Sequence, residues 1–252
     1  AKDGYEIWQV QGADPENPYI LPIHQGAVAG GDLSKAQAHW VTQDTIAWNI
    51  DSQPGATYQL VYAADGGLAL TPSGVTGGTA LTLTYDPAGL SDAVKAKFPH
   101  LASYKAFKLA AGDLATVPAI LKGQIAVAAL NNGVVVDATS LQIPGVLDEL
   151  YTYDGELGPT FDMIGVKLRI WAPTAQNVRV HIFDGPDAET PYKILQMSAN
   201  EKGTWFLRGD PFLYEKYYLY EVTVYARSEN KVVTNLVTDP YSLALSTNSQ
   251  KS

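Results

Sequence analysis

The sequence predicts a mainly β fold of two tandem immunoglobulin-like β-sandwich domains, with short helices in the first. Three observations carry this. Apolar residues alternate with polar ones over many short runs, the period-two signature of strands with one buried face. Turn signals separate the runs at roughly 8–12-residue spacing, as sandwiches require. The chain has 252 residues, 46% of them apolar and only 17% charged, which is enough for two separate cores.

Taken in order, residues 1–31 hold one strand, YEIWQVQ, with Ile7 and Trp8 facing opposite ways and no partner strand nearby. The Pro-, Gly- and Asn-rich stretch from Asp14 to Gly31 reads as a linker. The first complete domain spans 32–146. Ile46, Trp48 and Ile50 alternate with Ala47 and Asn49, and Tyr58, Leu60 and Tyr62 form the next run. Asp65-Gly66-Gly67 is a hairpin signal, followed by Leu81, Leu83 and Tyr85 in alternation. Ser91 is an N-cap for a short helix through Lys97, and Pro99 stops it. A second helical piece starts at Asp113 with Leu114, Val117 and Leu121 on one face. A hairpin closed by Asn132-Gly133 follows.

The second domain spans 147–252. Val166, Leu168 and Ile170 point one way and Lys167 and Arg169 the other. Trp171, Ala172 and Pro173 end that strand, because proline has no N–H for the ladder. Val178, Val180 and Ile182 then alternate with Arg179, His181 and Phe183. Further on, Tyr218, Tyr220, Val222 and Val224 alternate with Leu219, Glu221 and Thr223. Ser228-Glu229-Asn230 turns the chain into a last strand. The polar tail ending at Ser252 reads as a cut inside a longer polypeptide.

Composition excludes several classes. A formal charge of −9 and no basic stripe argue against nucleic acid, whereas a neutral polymer meets no such objection. There are no cysteines, hence no disulfides, thiol catalysis or Cys-ligated metal. No apolar run reaches the roughly 20 residues of a membrane span.

The wording of several segments is more specific than their pattern. YDGELG followed by LRIWAPTAQNVRV resembles the sandwich module that precedes the catalytic barrel in pullulanases and limit dextrinases, starch-debranching members of the α-amylase superfamily. That module is similar to carbohydrate-binding module family 48. KDGYEIWQVQG resembles the closing strand of the starch-binding module that often stands first in bacterial pullulanases. DLSKAQAHWVTQDTIAW and the later LKGQIAV and IPGVLDELYTYDG resemble the second module, and LVTDPYSLALSTNS resembles the exit toward the barrel. The resemblance implies the non-catalytic N-terminal region of a secreted or cell-surface bacterial enzyme that hydrolyses α-1,6 links in pullulan and branched starch. Its partners would be α-glucan and the enzyme's own barrel. The family's YNWGYDP segment is absent, and there is no room for a barrel of about 250 residues. The chain alone is therefore expected to hydrolyse nothing. A free-standing α-glucan-binding protein and an immunoglobulin-like protein-interaction module are the alternatives.

Candidate residues are weighed on chemistry. Asp148 and Glu149 are the most tempting acid pair, but on an extended segment neighbours face opposite ways, which reads as solvated linker charge. His24, His39, His100 and His181 fall in separate segments without zinc spacing, and His181 reads as exposed. The loop with Asp184, Asp187 and Glu189 is a candidate calcium site without the EF-hand pattern. Sugar rings stack on flat aromatic faces. Trp40, Trp48 and Trp171 read as core, and Tyr217 and Tyr225 share an outward strand face. Trp205, between polar neighbours after a Gly-Thr turn, is the best exposed candidate for carbohydrate contact, with a domain-interface role as the competing reading. Tyr241, Leu243 and Leu245 form an apolar face that a partner chain or the barrel would cover.

Overall fold

The computed structural model describes residues 5–9, 20–24, 30–51 and 54–252. Near the start, β1 (Tyr5–Gln9) pairs antiparallel with β2 (Ile20–His24), Tyr5 opposite His24. The strand expected to stand alone therefore has a partner, supplied by the stretch read as a linker.

The first domain contains β3 (Asp32–Thr42), β4 (Thr45–Trp48), β5 (Thr57–Ala63), β6 (Ala69–Thr71), β7 (Gly74–Thr76), β8 (Thr79–Asp86), β9 (Lys105–Leu109), β10 (Gln124–Asn131) and β11 (Val134–Gln142). Seven of these close on themselves in the order β10-β11-β3-β4-β9-β8-β5. The two-layer expectation thus takes the form of a sheet hydrogen-bonded along both edges. Every pairing is antiparallel except β11 with β3, which is parallel and joins the two ends of the domain. The Asp65-Gly66-Gly67 signal marks the start of a longer excursion rather than a tight hairpin. β5 pairs next with β8, and the connection carries the small β6–β7 hairpin.

Alternation fills the interior. Trp40, Trp48, Leu60 and Phe107 are fully buried, with the Phe107 ring 4.6 Å from Tyr58 and 5.9 Å from Trp48. The Asn132-Gly133 turn has φ of 51° and 78°, which selects glycine at the second position. Ser91 caps α1 (Asp92–Lys97), its hydroxyl accepting from the Val94 N–H. A 3₁₀ turn at Ala111–Thr116 leads into α2 (Val117–Ile120), where Pro118 is tolerated in the first turn. α3 (Pro144–Tyr151) then packs on β3, with Val146 buried and Leu147, Leu150 and Tyr151 against the first core. The first core therefore extends past residue 146. Asp148 and Glu149 lie on this helix, not on an extended segment. Asp148 pairs with Lys97 at 3.1 Å, and Glu149 accepts from the Gln43 N–H.

The second domain is a sandwich of two four-stranded sheets. One holds β12 (Gly158–Asp162), β13 (Gly165–Trp171), β16 (Ser198–Ala199) and β17 (Thr204–Gly209); the other holds β14 (Asn177–Phe183), β15 (Lys193–Gln196), β18 (Tyr217–Ala226) and β19 (Lys231–Val237). Val166, Leu168 and Ile170 meet Val178, Val180, Ile182, Tyr218 and Tyr220 between the layers. The Tyr218 and Tyr220 hydroxyls donate to the buried Asp239 carboxylate at 2.7 and 3.2 Å. Ser252 exchanges backbone hydrogen bonds with Tyr218, and Lys251 lies over the Phe183 ring at 4.9 Å. That covering explains why Phe183 is buried on a face the alternation assigns outward.

Candidate functional site

The residues expected to carry function are redistributed by strand register. Trp205 is 7% exposed, so the expected flat exposed face is missing. It lies directly opposite Ile170 in the β13–β17 ladder, which turns it inward, and its indole N–H donates to the Ala172 carbonyl at 3.0 Å. Lys122 of the first domain sits 5.6 Å from its ring. Trp171, read as core, is the exposed one at 37%. It has the opposite parity from Ile170, and its indole N–H reaches the Tyr151 carbonyl at 2.8 Å, tying the second domain to the end of α3. Tyr217 and Tyr225 are half-buried.

His181, expected to be exposed, is 8% exposed. It hydrogen-bonds Glu221 at 2.8 Å through Nε2, while the Arg179 Nε donates to the other carboxylate oxygen at 2.7 Å. Burial pushes the Glu221 carboxyl up, but Arg179 and His181 outweigh it and hold it below the usual range. In the acidic loop, Asp184 pairs with Lys216 at 2.7 Å. Among the described residues no three His, Asp or Glu side chains converge as a metal site.

Glycoside hydrolysis requires a protonated carboxyl facing a second carboxylate across a cleft. Asp44 and Glu149 share a shallow pocket of about 230 Å³. Burial pushes Asp44 up, but the Thr45 hydroxyl, the Lys108 ammonium and the Thr42 hydroxyl, at 2.6, 3.0 and 2.8 Å, bring it below its ordinary value. That is the wrong direction for a general acid. Asp137, which burial does push up, lines neither this pocket nor the larger cavities. Neither Asp44 with Glu149 nor Asp137 is therefore arranged for this chemistry.

Two surfaces remain. At one end of the second domain, turns hold large apolar side chains in solvent. Met163 is 99% and Phe212 82% exposed, and Phe161, Ile164 and Leu243 are exposed beside them. The β12–β13 turn is fixed by Asp162, whose Oδ1 accepts from the Ile164 and Gly165 N–H groups at 2.9 and 3.2 Å. Lys167 at 3.0 Å and Arg208 at 2.8 Å, with that Ile164 bond, hold the Asp162 carboxyl far below the carboxylate range. Asp210 fixes Phe212 by accepting from its N–H at 3.0 Å. Between these turns lies a groove of about 330 Å³ that includes Phe161, Leu213, Tyr217 and Leu243. Tyr241 and Leu245 are exposed, as their sequence pattern suggests. Sequence reasoning missed Met163 and Ile164; the signal that could have found them is two large apolar residues in a tight Asp-x-x-Gly turn. The second surface is a cleft of about 730 Å³ lined by both domains.

The pullulanase N2 domain family matches residues 35–149, and carbohydrate-binding module 48, the isoamylase N-terminal domain, matches residues 156–242. The chain is a pullulanase N2 domain followed by a carbohydrate-binding module 48 domain, an accessory region without a catalytic barrel. Chloroplastic pullulanase 1 of Arabidopsis thaliana is 39% identical over 222 residues, covering 87% of this chain and 22% of that protein. The pullulanase of Klebsiella pneumoniae is 37% identical over 224 residues, 87% of this chain and 20% of its own. The accessory region thus spans about a fifth of the curated relatives it matches. In solved structures, the maltotriose complex of PulA from Klebsiella pneumoniae superposes with TM-score 0.79 at 34% identity, covering 88% of this chain and 24% of that one. PulA from Klebsiella oxytoca gives 0.79 at 34% identity over 88% and 21%. The N2 match ends on α3, and the family 48 match begins just before β12. No described helix of this accessory region is long and apolar enough to cross a membrane.

Proposed function

We propose that these domains form a non-catalytic shoulder of a starch-debranching enzyme, one that hydrolyses α-1,6 links in pullulan and branched starch. The family 48 domain seats the catalytic barrel and the N2 domain extends that platform beside the cleft through which α-glucan approaches. The observation that carries this is the apolar rim of Phe161, Met163, Ile164, Phe212 and Leu243, held out by braced turns and uncovered by the described residues. An uncovered patch of this kind marks an interaction surface. The spread of resemblance over a fifth of two longer pullulanases supports it. Residues 1–31 belong to the end of a further starch-binding module, and the parent acts outside the bacterial cell or at its surface. Cell fractionation tests that location.

The test pairs two measurements. Incubating the chain with pullulan and assaying reducing ends gives no turnover. In the parent enzyme, Met163→Ser with Phe212→Ser lowers the thermal midpoint of the barrel, while the same pair leaves the accessory chain's own midpoint unchanged. Clear turnover by the accessory chain, or an unaffected parent, refutes the proposal.

A further inference from the structure

The cleft between the two domains has a charge opposite to that of the protein. The chain carries 26 acidic against 17 basic residues. Yet the cleft lining includes Lys122 and Arg227 and no Asp or Glu. Most described cations sit against a carboxylate, as Lys97, Lys108, Arg179 and Arg208 do. Lys122 and Arg227 form no ion pair among the described residues; Lys122 lies over the Trp205 ring, and Arg227 spends one amino group on the Leu141 carbonyl. The rest of the guanidinium is left for a ligand. The Thr174 and Ser228 hydroxyls, which also line the cleft, bond to nothing within the described protein.

The cleft is also built rather than incidental. Gln176 of the second domain donates to the Ala64 and Lys122 carbonyls of the first at 2.8 and 3.1 Å. Arg227 reaches Leu141 from another direction. The Tyr225 ring packs so close to Gly66 that an added Cβ there would meet its Cε2 at 3.0 Å. These contacts bracket a space of about 730 Å³, within the roughly 300–1,000 Å³ of small-molecule sites. Its inner wall is apolar at Leu68, Leu121 and Ile125, and Tyr225 adds an aromatic ring. Apolar wall and ring suit the C–H faces of a sugar. Two unneutralised cations and two free hydroxyls lining the same cleft suit a phosphate, which guanidinium groups bind in a fork.

We propose that the cleft between the N2 and family 48 domains binds a phosphorylated hexose, with Lys122 and Arg227 on the phosphate and Tyr225 beside the ring. The inference is independent of the debranching role. The ligand is either a free sugar phosphate or a phosphate ester carried on a glucan chain; both present the same group.

Isothermal titration of the 252-residue chain tests it. Glucose 6-phosphate is the main probe, with glucose, inorganic phosphate and a maltotriose bearing a 6-phosphate as the other arms. The expected result is a Kd of about 1 mM or tighter for glucose 6-phosphate. Glucose and inorganic phosphate each bind at least about tenfold more weakly, and affinity falls several-fold as salt rises through screening of the charge contacts. Tighter binding of the phosphorylated maltotriose than of glucose 6-phosphate identifies the polymer as the source, and the reverse the free sugar. Lys122→Gln weakens binding at least about fivefold, the size of one lost charge-assisted contact, with an unchanged thermal midpoint. Arg227→Gln does the same, and Lys122→Gln decides alone if Arg227→Gln loosens the domain contact. No heat at 20-fold the expected Kd, equal affinity for inorganic phosphate, or wild-type affinity in Lys122→Gln each overturns the proposal.

Discussion

Replacing Trp205 by alanine separates a structural role from a sugar-stacking one. The side chain is 7% exposed, faces Ile170 across the ladder, and its N–H satisfies the Ala172 carbonyl at 3.0 Å. Removing a buried Trp side chain costs about 3–5 kcal/mol. Leaving that part-buried carbonyl without its partner adds roughly 1 kcal/mol. The sum, about 4–6 kcal/mol, is most of the stability of a modest domain. For a domain of about 100 residues each kcal/mol moves the midpoint by roughly 4–8 °C, so the drop should exceed about 15 °C. Differential scanning calorimetry of the second domain's transition reads this directly. Trp205→Phe keeps most of the apolar area and should lose only about 1–2 kcal/mol. A midpoint within about 4 °C of wild type in Trp205→Ala, together with lost retention on amylose resin, would refute the core assignment and restore the stacking role.

Four further expectations can be measured together. Glu221 has a folded pKa below its unfolded value of about 4.3, so its contribution is present above that pH and lost as pH falls through the folded value. Glu221→Gln should therefore be less stable than wild type at pH 7, with the two urea-unfolding curves converging in acid. Tyr218 and Tyr220 are raised by burial and by the Asp239 charge, so the unfolded chain releases its phenolic protons first. Stability should fall as pH rises past about 10, and Tyr220→Phe should flatten that limb. Gly145 brings α3 against β3 so closely that a Cβ would meet the Val41 Cα at 2.8 Å and the Trp40 carbonyl oxygen at 2.9 Å. Gly145→Ala should cost about 1–3 kcal/mol by thermal unfolding, in spite of alanine's better helix propensity. Phe212→Ser should change the accessory chain's stability by less than about 0.5 kcal/mol, since the ring is in solvent.

Much of the fold was legible because alternation is a local signal. Val166, Leu168 and Ile170 point inward as their spacing requires, and Ser91, Pro118 and Asn132-Gly133 act where the chain places them. What failed was nonlocal. Parity alone would have put Trp171 outside, since it follows the inward Ile170, but Trp205 could be oriented only with the β13–β17 register in hand. His181 lies on the outward face, yet Glu221 from across the ladder binds both it and Arg179, two positions earlier on its own strand. α3 was missed because Ile143, Pro144 and Gly145 look like a turn; the helix is held by burial of Val146 and its neighbours against β3. The partner of β1 was hidden inside a composition typical of connections. The charge reversal of the cleft depends on Lys122 and Arg227, about a hundred positions apart, lining one space between two domains, which no window of sequence displays.

The parallel contact between β11 and β3 joins residues about a hundred positions apart, as Thr139 over Lys35 does. The ring in the N2 domain can therefore complete only after β11 has emerged and found the first strand, a late and slow event for such distant segments. Cleavage or trimming within Asp32–Thr42 would do more than shorten a terminus. It would bare β4 on one side and β11 on the other, and two unprotected margins of that kind recruit other chains. Expression designs that start downstream of β3 should consequently yield aggregates, whereas those that keep it should stay dispersed.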